Sequence, residues 1–274
     1  MNQLNLAIVK TSDGLELEGA VFGEGKKGII LIHGVGNSFY RTPLITVAEF
    51  LGKNGYMALC PNTRGHDWIA RSTDGQKIMG ASFETIEESL LDIDAFIEFL
   101  RSRGCEKVAL VGHSLGAAKV INYAATQRNS DLVKTVISCS SADMAYERRH
   151  EKYDGFDEVF ADAQRAISEG RPLEILELKK KDGTHEYYSA RTLVNKYGPE
   201  DLANGINHVQ SVEVPLLLLV GGKETRTLRT TRMLEEASVS PKKKVVVIDG
   251  AEHFYSEHEG DVAAALLNWL NEVM

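Results

Sequence analysis

The sequence predicts an α/β fold in which a mostly parallel central sheet carries helices on both faces and one insertion interrupts the alternation. Apolar strand patterns alternate with amphipathic helix patterns over 27–138 and again over 214–273. A glycine-flanked turn joins a strand directly to a helix near residue 114. A charge-dense stretch over about 142–208 contains no pattern of a core strand.

Composition narrows the class of protein. A chain of 274 residues can form one large α/β domain with an insertion. Its net charge of −8 argues against nucleic acid or an anionic membrane surface as a partner. No basic leader with a long apolar segment is visible and no apolar run has membrane-spanning length, so we expect no membrane span and a cytoplasmic location. Nothing here indicates the oligomeric state.

The three cysteines, Cys60, Cys105 and Cys139, cannot all pair with one another. Each lies on or beside an apolar run, where a buried free thiol is common. They therefore fit a reducing compartment.

Each secondary-structure element is predicted from its apolar periodicity and its flanking turn residues. The predicted strands are 4–10 and 15–23, joined as an antiparallel hairpin at Ser12–Gly14, then 27–32, 57–61, 107–112, 133–138, 214–221 and 243–249. The predicted helices are 43–54, 84–103, a helix that follows residue 114, 226–237 and 261–273, and residues 71–82 are predicted to be a loop.

The stretch around residue 114 predicts a nucleophile elbow. The strand Lys107–Gly112 runs into His113-Ser114-Leu115-Gly116, and a helix pattern begins at once. A serine at so tight a turn needs glycine neighbours, because the departing helix passes close to the incoming strand. The turn exposes the Ser114 hydroxyl and directs helix N–H groups at any oxyanion formed there.

Other loops follow strands at the same edge of the sheet. Val35, in the glycine-rich loop after strand 27–32, offers an N–H group that we pair with the Leu115 N–H as a candidate oxyanion hole; the alternative is an ordinary tight loop. In the loop after strand 57–61, we expect Arg64 to make structural hydrogen bonds, and His66 is a candidate for lining the pocket.

Two further side chains complete a catalytic set. Glu224 and His253 each follow a predicted strand of the same sheet as Ser114, so all three lie on loops at its carboxyl edge. A hydroxyl needs a base to become nucleophilic, and the base needs a carboxylate that fixes its tautomer. We assign His113, beside the serine, to packing and give it no role in proton transfer.

The insertion over 142–208 follows a sheet strand on the side to which the elbow points. It contains a helical pattern near 156–169 and a hairpin tip at Lys179–Gly183. We expect it to be a cap or lid over the site, and the alternative is a solvated decoration that never touches ligand. The predicted division is a core of 1–141 and 209–274 and a cap of 142–208.

Together these motifs resemble the α/β-hydrolase superfamily. The motifs that carry the resemblance, in chain order, are His-Gly-Val-Gly-Asn-Ser, Asn-Thr-Arg-Gly-His, Gly-His-Ser-Leu-Gly, Leu-Val-Gly-Gly-Lys-Glu and Gly-Ala-Glu-His. Within the superfamily the chain looks like the capped serine esterases and acyl hydrolases. The resemblance implies an α/β-hydrolase fold, no metal or organic cofactor, Ser114 as nucleophile, His253 as general base, the Val35 and Leu115 amides as oxyanion hole, and an acid after the seventh strand.

The acid departs from the family pattern. Glu224 stands where the family usually has aspartate, and no aspartate occurs between residues 214 and 247. Asp143, just after the strand over 133–138, is the alternative acid.

The expected function is hydrolysis of a small-molecule carboxylic ester or acyl substrate through a Ser114 acyl-enzyme. The same residues would serve cleavage of an amide, thioester, lactone or activated C–C bond, and motifs do not separate these bonds. A protein that binds ligand on this fold without turnover is the alternative from another class.

Overall fold

The computed structural model describes residues 5–41 and 43–274. Its strands are β1 Asn5–Lys10, β2 Glu16–Phe22, β3 Lys27–Ile32, β4 Met57–Pro61, β5 Ala70–Arg71, β6 Ile78–Met79, β7 Lys107–His113, β8 Val133–Cys139, β9 Tyr153–Asp154, β10 Ile175–Lys180, β11 His185–Ser189, β12 Leu216–Gly221 and β13 Lys243–Ile248. Its helices are α1 Leu44–Lys53, α2 Ile86–Ser102, α3 Leu115–Ala125, α4 Arg149–Lys152, α5 Phe156–Ser168, α6 Ala190–Tyr197, α7 Gly205–Val209, α8 Thr225–Ala237 and α9 Glu259–Val273. Residue 4, where the first predicted strand begins, lies outside the described residues.

The central sheet has eight strands in the order β1-β2-β4-β3-β7-β8-β12-β13. The pairs β1–β2 and β2–β4 are antiparallel, and the remaining pairs are parallel. This confirms both the hairpin at the sheet edge and the α/β-hydrolase fold. Because β3, β7, β8, β12 and β13 run in one direction, the loops that follow them all lie at one edge of the sheet.

Apolar side chains cover both faces of this sheet. Helices α1 and α9 pack on one face through residues such as Leu51, Leu266 and Trp269. Helices α2 and α3 pack on the other face through residues such as Phe96 and Val120. The central strands are buried on both sides, as continuous apolar runs predict for parallel strands.

Helix α2 begins where its sequence provides a capping box. The Thr85 hydroxyl accepts from the Glu88 N–H, and the Glu88 carboxylate accepts from the Thr85 N–H. The segment before it departs from the predicted loop over 71–82, because β6 pairs with β5 as a small antiparallel ladder. Two residues per strand are too few to give an alternation that the sequence could show.

The insertion forms a separate small sheet and contributes most of an apolar cluster on its own side of the molecule. Strands β9, β10 and β11 form an antiparallel three-stranded sheet, and none of them joins the central sheet. This third apolar cluster contains Phe156, Phe160, Tyr188 and Leu193, together with Leu115 at the start of α3. The predicted helix near 156–169 and the predicted hairpin at Lys179–Gly183 are both present. No helix in the described residues combines the length and apolar character that crossing a bilayer requires.

We expect Gly112→Ala to destabilise the fold. A Cβ at Gly112 would lie 2.1 Å from the backbone oxygen of Gly116, so the strand and helix α3 would have to separate. The free energy of unfolding, measured by urea titration, should fall by more than about 2 kcal/mol.

The matched control is Gly260→Ala in α9, where a Cβ would meet nothing within 4 Å. It should be neutral or stabilising by less than about 1 kcal/mol. Equal effects of the two substitutions would contradict the close approach at the elbow.

Candidate active site

Ser114 lies at the turn between β7 and α3 in a strained conformation. Its φ and ψ are 56° and −118°, a region that residues other than glycine rarely occupy. Its N–H donates to the Cys139 carbonyl at 2.9 Å, which ties the turn to the end of β8. A Cβ at Gly34 would lie 3.0 Å from the Cβ of Ser114, so the loop after β3 passes directly beside the serine.

His253 and Glu224 lie in contact on neighbouring loops. His253 Nδ1 and Glu224 Oε1 are 2.6 Å apart. Glu224 follows β12 and His253 follows β13, and the parallel pairing of these strands brings the two loops together. The Glu224 side chain is only 7% exposed whereas that of His253 is 35% exposed, so the carboxylate is shielded behind an accessible imidazole.

The second carboxylate oxygen of Glu224 is also held. The Ser140 hydroxyl donates to Oε2, and the Gly221 N–H donates to the same atom at 3.0 Å. The Tyr255 hydroxyl lies 2.5 Å from Ser140 Oγ. Burial raises the pKa of Glu224, but the hydrogen bonds from His253 and Ser140 outweigh burial, so the pKa lies below its ordinary value and the carboxylate is ionised at neutral pH.

Asp143, the alternative acid, makes different contacts. Its two oxygens accept from Arg148 at 2.7 and 2.8 Å, and Arg229 lies 3.4 Å away. Burial raises the pKa of Asp143, but the hydrogen bonds and positive charge of Arg148, together with Arg229 and the Ala145 N–H, bring it below its ordinary value. The carboxylate in contact with His253 is therefore Glu224.

His113 packs behind His253. Its ring centroid lies 4.8 Å from that of His253, and its Nε2 lies 2.8 Å from the His253 backbone oxygen, so Nε2 carries the proton and donates. Burial, with a smaller contribution from His253, lowers the pKa of His113 to about 4. His113 is thus neutral at neutral pH and fixes the backbone of the loop after β13.

His33 plays a similar part under the loop after β3. The Thr63 N–H donates to His33 Nε2 at 3.1 Å, so Nδ1 carries the proton and donates to the Gly34 carbonyl at 2.8 Å. Burial and, to a smaller extent, the positive charge of Lys119 lower the pKa of His33 to about 4. The neutral ring therefore holds the Gly34 carbonyl toward the protein interior.

A cavity of about 760 Å³ opens above these residues. Ser114, Val35, Leu115 and His253 line it together, and so do residues of the insertion. The carboxyl edge of the sheet and the insertion therefore face one another across a shared space.

The sequence of the chain matches one protein family over most of its length. The sequence model of the alpha/beta hydrolase family matches residues 29–265, which is most of the chain. The chain belongs to the alpha/beta hydrolase family. No curated protein matches this alpha/beta hydrolase in a sequence search.

Solved structures share the fold at low sequence identity. The alpha/beta hydrolase GrgF from Penicillium sp. sh18 superposes with a TM-score of 0.73 at 16% identity, covering 98% of this chain and 97% of that one. A monoacylglycerol lipase from Paleococcus ferrophilus gives 0.69 at 24% identity, covering 93% and 98%. Est1E from Butyrivibrio proteoclasticus gives 0.65 at 20% identity, covering 97% and 98%.

Two residues of the loop after β4 lie outside the cavity of this alpha/beta hydrolase. Arg64 is buried and pairs with Asp92 at 2.8 Å and with Asp13 at 2.9 Å, which confirms a structural role. The expectation that His66 lines the pocket is wrong, because its Nδ1 bonds the Asp67 carboxylate at 2.9 Å and its ring does not reach the cavity. Asp67, the next residue of this loop, has a left-handed backbone conformation with a φ of 51°.

Sequence analysis missed several residues of the site. Ser140 could have been found, since it directly follows β8 at the edge where the other site residues lie. Tyr255 and the cavity-lining Trp68 carried no comparable signal. Within residues 5–41 and 43–274, no group of three or more histidine, cysteine or acidic side chains is arranged to hold a metal ion.

The contact between His253 and Glu224 predicts a proton NMR signal. With ¹⁵N-labelled histidine, a strongly downfield proton bound to Nδ1 of His253 should be visible, because a 2.6 Å bond to a carboxylate is short and charge-assisted. Glu224→Gln should remove this signal, and Asp143→Asn should leave it unchanged. The opposite pattern would mean that Asp143 is the partner of His253 in solution.

Proposed function

We propose that this alpha/beta hydrolase cleaves a carboxylic ester through an acyl-enzyme on Ser114, with His253 as general base and Glu224 as the acid of the triad. The observation that carries the proposal is the 2.6 Å contact between Glu224 and His253, in which the imidazole lines the same cavity as a strained, half-buried serine. Nucleophile, base and orienting carboxylate are the groups that acyl transfer needs.

In the acylation step, Ser114 Oγ attacks the ester carbonyl carbon and its proton moves to His253 Nε2. Glu224 holds the proton on Nδ1, so Nε2 is the free acceptor, and the carboxylate stabilises the imidazolium that forms. The tetrahedral intermediate then collapses. The C–O bond to the alcohol breaks, and the alcohol leaves with the proton from His253.

In the deacylation step, water attacks the acyl carbon and gives its proton to His253. Collapse breaks the bond to Ser114 Oγ, which recovers the proton, and the carboxylic acid is released. The net reaction consumes one water and needs no oxidant, reductant or cofactor.

We assign the oxyanion hole to the N–H groups of Leu115 and Val35. Leu115 is the first residue of α3, so its N–H has no partner within the helix. The Gly34 carbonyl points at the buried His33, and in a planar trans peptide the next N–H points the opposite way. This geometry favours a Val35 N–H directed at the space beside Ser114, where two such donors stabilise a tetrahedral oxyanion.

Cleavage of an ester is favoured over cleavage of other bonds because several structures with the same fold are ester-cleaving enzymes. Solved structures that share this fold include an esterase of Pyrococcus furiosus and the Paleococcus ferrophilus monoacylglycerol lipase. The same machinery would also cleave an amide, thioester, lactone or C–C bond. We further propose that residues 142–208 act as the cap that selects the substrate, since Arg148, Lys152 and Lys180 of this segment line the cavity with Ser114.

Ser114→Ala should reduce kcat for a p-nitrophenyl ester by about a thousandfold or more, because only binding and oxyanion stabilisation remain. A fluorophosphonate probe should label the unaltered chain on Ser114 and fail to label the variant. More than about a tenth of the original kcat in a folded variant would refute the serine mechanism. Absence of labelling in the unaltered chain would favour a ligand-binding protein without turnover.

The acid is tested by paired amides. Glu224→Gln should lower kcat by up to about 10⁴, because an amide at this position stabilises the wrong imidazole tautomer. Asp143→Asn, the control, should change kcat by less than about tenfold, because Asp143 contacts arginines at the cavity rim. Steady-state kinetics on both variants decides between Glu224 and Asp143 as the acid. A large loss of kcat in Asp143→Asn with almost no loss in Glu224→Gln would reverse the assignment.

The pH profile should report one ionisation on its acid side. The lowered pKa of Glu224 keeps it ionised, and the pKa of about 4 keeps His33 and His113 neutral, so none of these groups changes charge above about pH 5. The base must be neutral to accept a proton, so log kcat/KM should rise with unit slope from about pH 5 toward neutrality. A flat profile would count against His253, and a slope of two would show a second titrating group.

A further inference from the structure

The cavity wall formed by the insertion and α8 carries positive charge. Seven arginine and lysine side chains line the cavity against four carboxylates, although the whole chain has a net charge of −8. The cavity therefore has the opposite sign to the rest of the protein. A cleft lined by one sign of charge concentrates ligands of the other sign.

Three of these cations are neutralised by the carboxylates nearby. Arg148 pairs with Asp143 at 2.7 Å, and Arg229 pairs with Glu151 at 3.1 Å. Lys180 pairs with Glu186 at 2.6 Å, and Glu186 also accepts from the Tyr153 hydroxyl at 2.6 Å.

Arg149 has no such partner. It is 2% exposed and lines the cavity, yet no carboxylate of the described residues lies within 4.0 Å of its guanidinium. Its terminal nitrogens bond the backbone oxygens of Met144 and Lys196, and its Nε is buried with no partner in the described chain. Tyr197 lies under the guanidinium at 4.5 Å. A buried cation without a counter-charge is costly unless a ligand supplies one.

Three further cations that line the cavity have no carboxylate of the described residues within hydrogen-bond distance. Arg226 reaches only the Glu151 backbone oxygen, at 3.4 Å. The side chain of Lys181, on the hairpin between β10 and β11, pairs with no carboxylate of the described chain. The nearest carboxylate to Lys152 is Glu186 at 3.9 Å, and that group is already bound by Lys180.

We propose that the ester cleaved at Ser114 carries a terminal oxyanion, a carboxylate or a phosphate, which binds Arg149, Lys152, Lys181 and Arg226 under the insertion. This inference rests on the proposed function and names its substrate class. A cavity of about 760 Å³ has room for a ligand that spans from the serine to the cationic wall. A guanidinium binds either oxyanion through two parallel N–H donors.

The test compares matched p-nitrophenyl esters. One series has a free carboxylate at the far end of an acyl chain of increasing length, a second has that carboxylate as its methyl ester, and a third has a terminal phosphate. The kcat/KM for a charged ester should exceed that for its neutral match by about tenfold or more at one or more chain lengths, and salt should reduce the ratio. The better of the two charged series identifies the oxyanion.

The variants Lys181→Gln and Arg226→Gln should lower the ratio of charged to neutral kcat/KM and leave the neutral ester almost unaffected. Lys179→Gln is the matched control, since Lys179 lies exposed on the same hairpin and does not line the cavity. Arg149→Met should lower the ratio most, and if it fails to fold, the two surface variants still decide. Neutral esters preferred at every length, or a ratio unchanged in both surface variants, would overturn the inference.

Binding separates this inference from the proposed function. Calorimetry on the folded Ser114→Ala variant should detect binding of α,ω-dicarboxylates or of ω-phosphocarboxylates. The double variant with Arg226→Gln should bind the same compounds more weakly. If Ser114 reacts with fluorophosphonate and the enzyme cleaves neutral esters as fast as charged ones, only the proposed substrate class is wrong. If no ester turns over while the dianions still bind and Arg226→Gln weakens them, the anion site stands and ester hydrolysis fails.

Discussion

At the elbow, the backbone at the start of α3 approaches both β7 and the end of β3 more closely than any side chain would permit. A Cβ on Gly116 would lie 2.4 Å from the Ile32 oxygen, and one on Gly112 would lie 2.1 Å from the Gly116 oxygen. Glycine at both places lets α3 begin directly after β7, and this tight turn forces Ser114 into its positive φ. The first N–H groups of α3 have no partner within the helix and lie beside the Ser114 hydroxyl. The loop after β3 then completes the site, because glycine at 34 allows it to pass against Ser114. The positions of Ser114 and of the candidate oxyanion donors thus follow from one steric constraint.

The acid side of the site is built from the loops after three neighbouring strands. Ser140 after β8, Glu224 after β12 and Tyr255 after β13 meet through hydroxyl and carboxylate contacts. Ser140 and Tyr255 have φ values of 46° and 54°, so strained backbone lies beside the Glu224 carboxylate as well as at Ser114. With one oxygen bound by Ser140 and the Gly221 N–H, the longer glutamate side chain presents its other oxygen to His253 in one orientation. This arrangement accommodates a glutamate at the position where the family that the sequence resembles usually has aspartate.

Most of the fold could be predicted because its strands are continuous apolar runs and its helices have one apolar face. Ser114, Glu224 and His253 could be named because each follows a strand, and a parallel sheet gathers such residues at one edge. The support of Glu224 by Ser140 and Tyr255 was not predictable, since it depends on the register of separate strands. The burial of Arg149 was also hidden, because α4 has four residues in a run of alternating charges that is typical of a solvated surface. The prediction that His66 lines the pocket was wrong because the position of a residue in a loop does not give the direction of its side chain.

The central claim is that Ser114 carries the acyl group during turnover, and intact-mass spectrometry tests it most directly. A p-nitrophenyl ester mixed with the enzyme and quenched in acid within the first turnover should give a burst of p-nitrophenol and a protein heavier by one acyl group. Digestion should locate the added mass on the peptide that contains Ser114, and hydroxylamine should remove it. Turnover without any acylated species under conditions that trap one, or an acyl group found on another residue while Ser114 stays unmodified, would contradict the account.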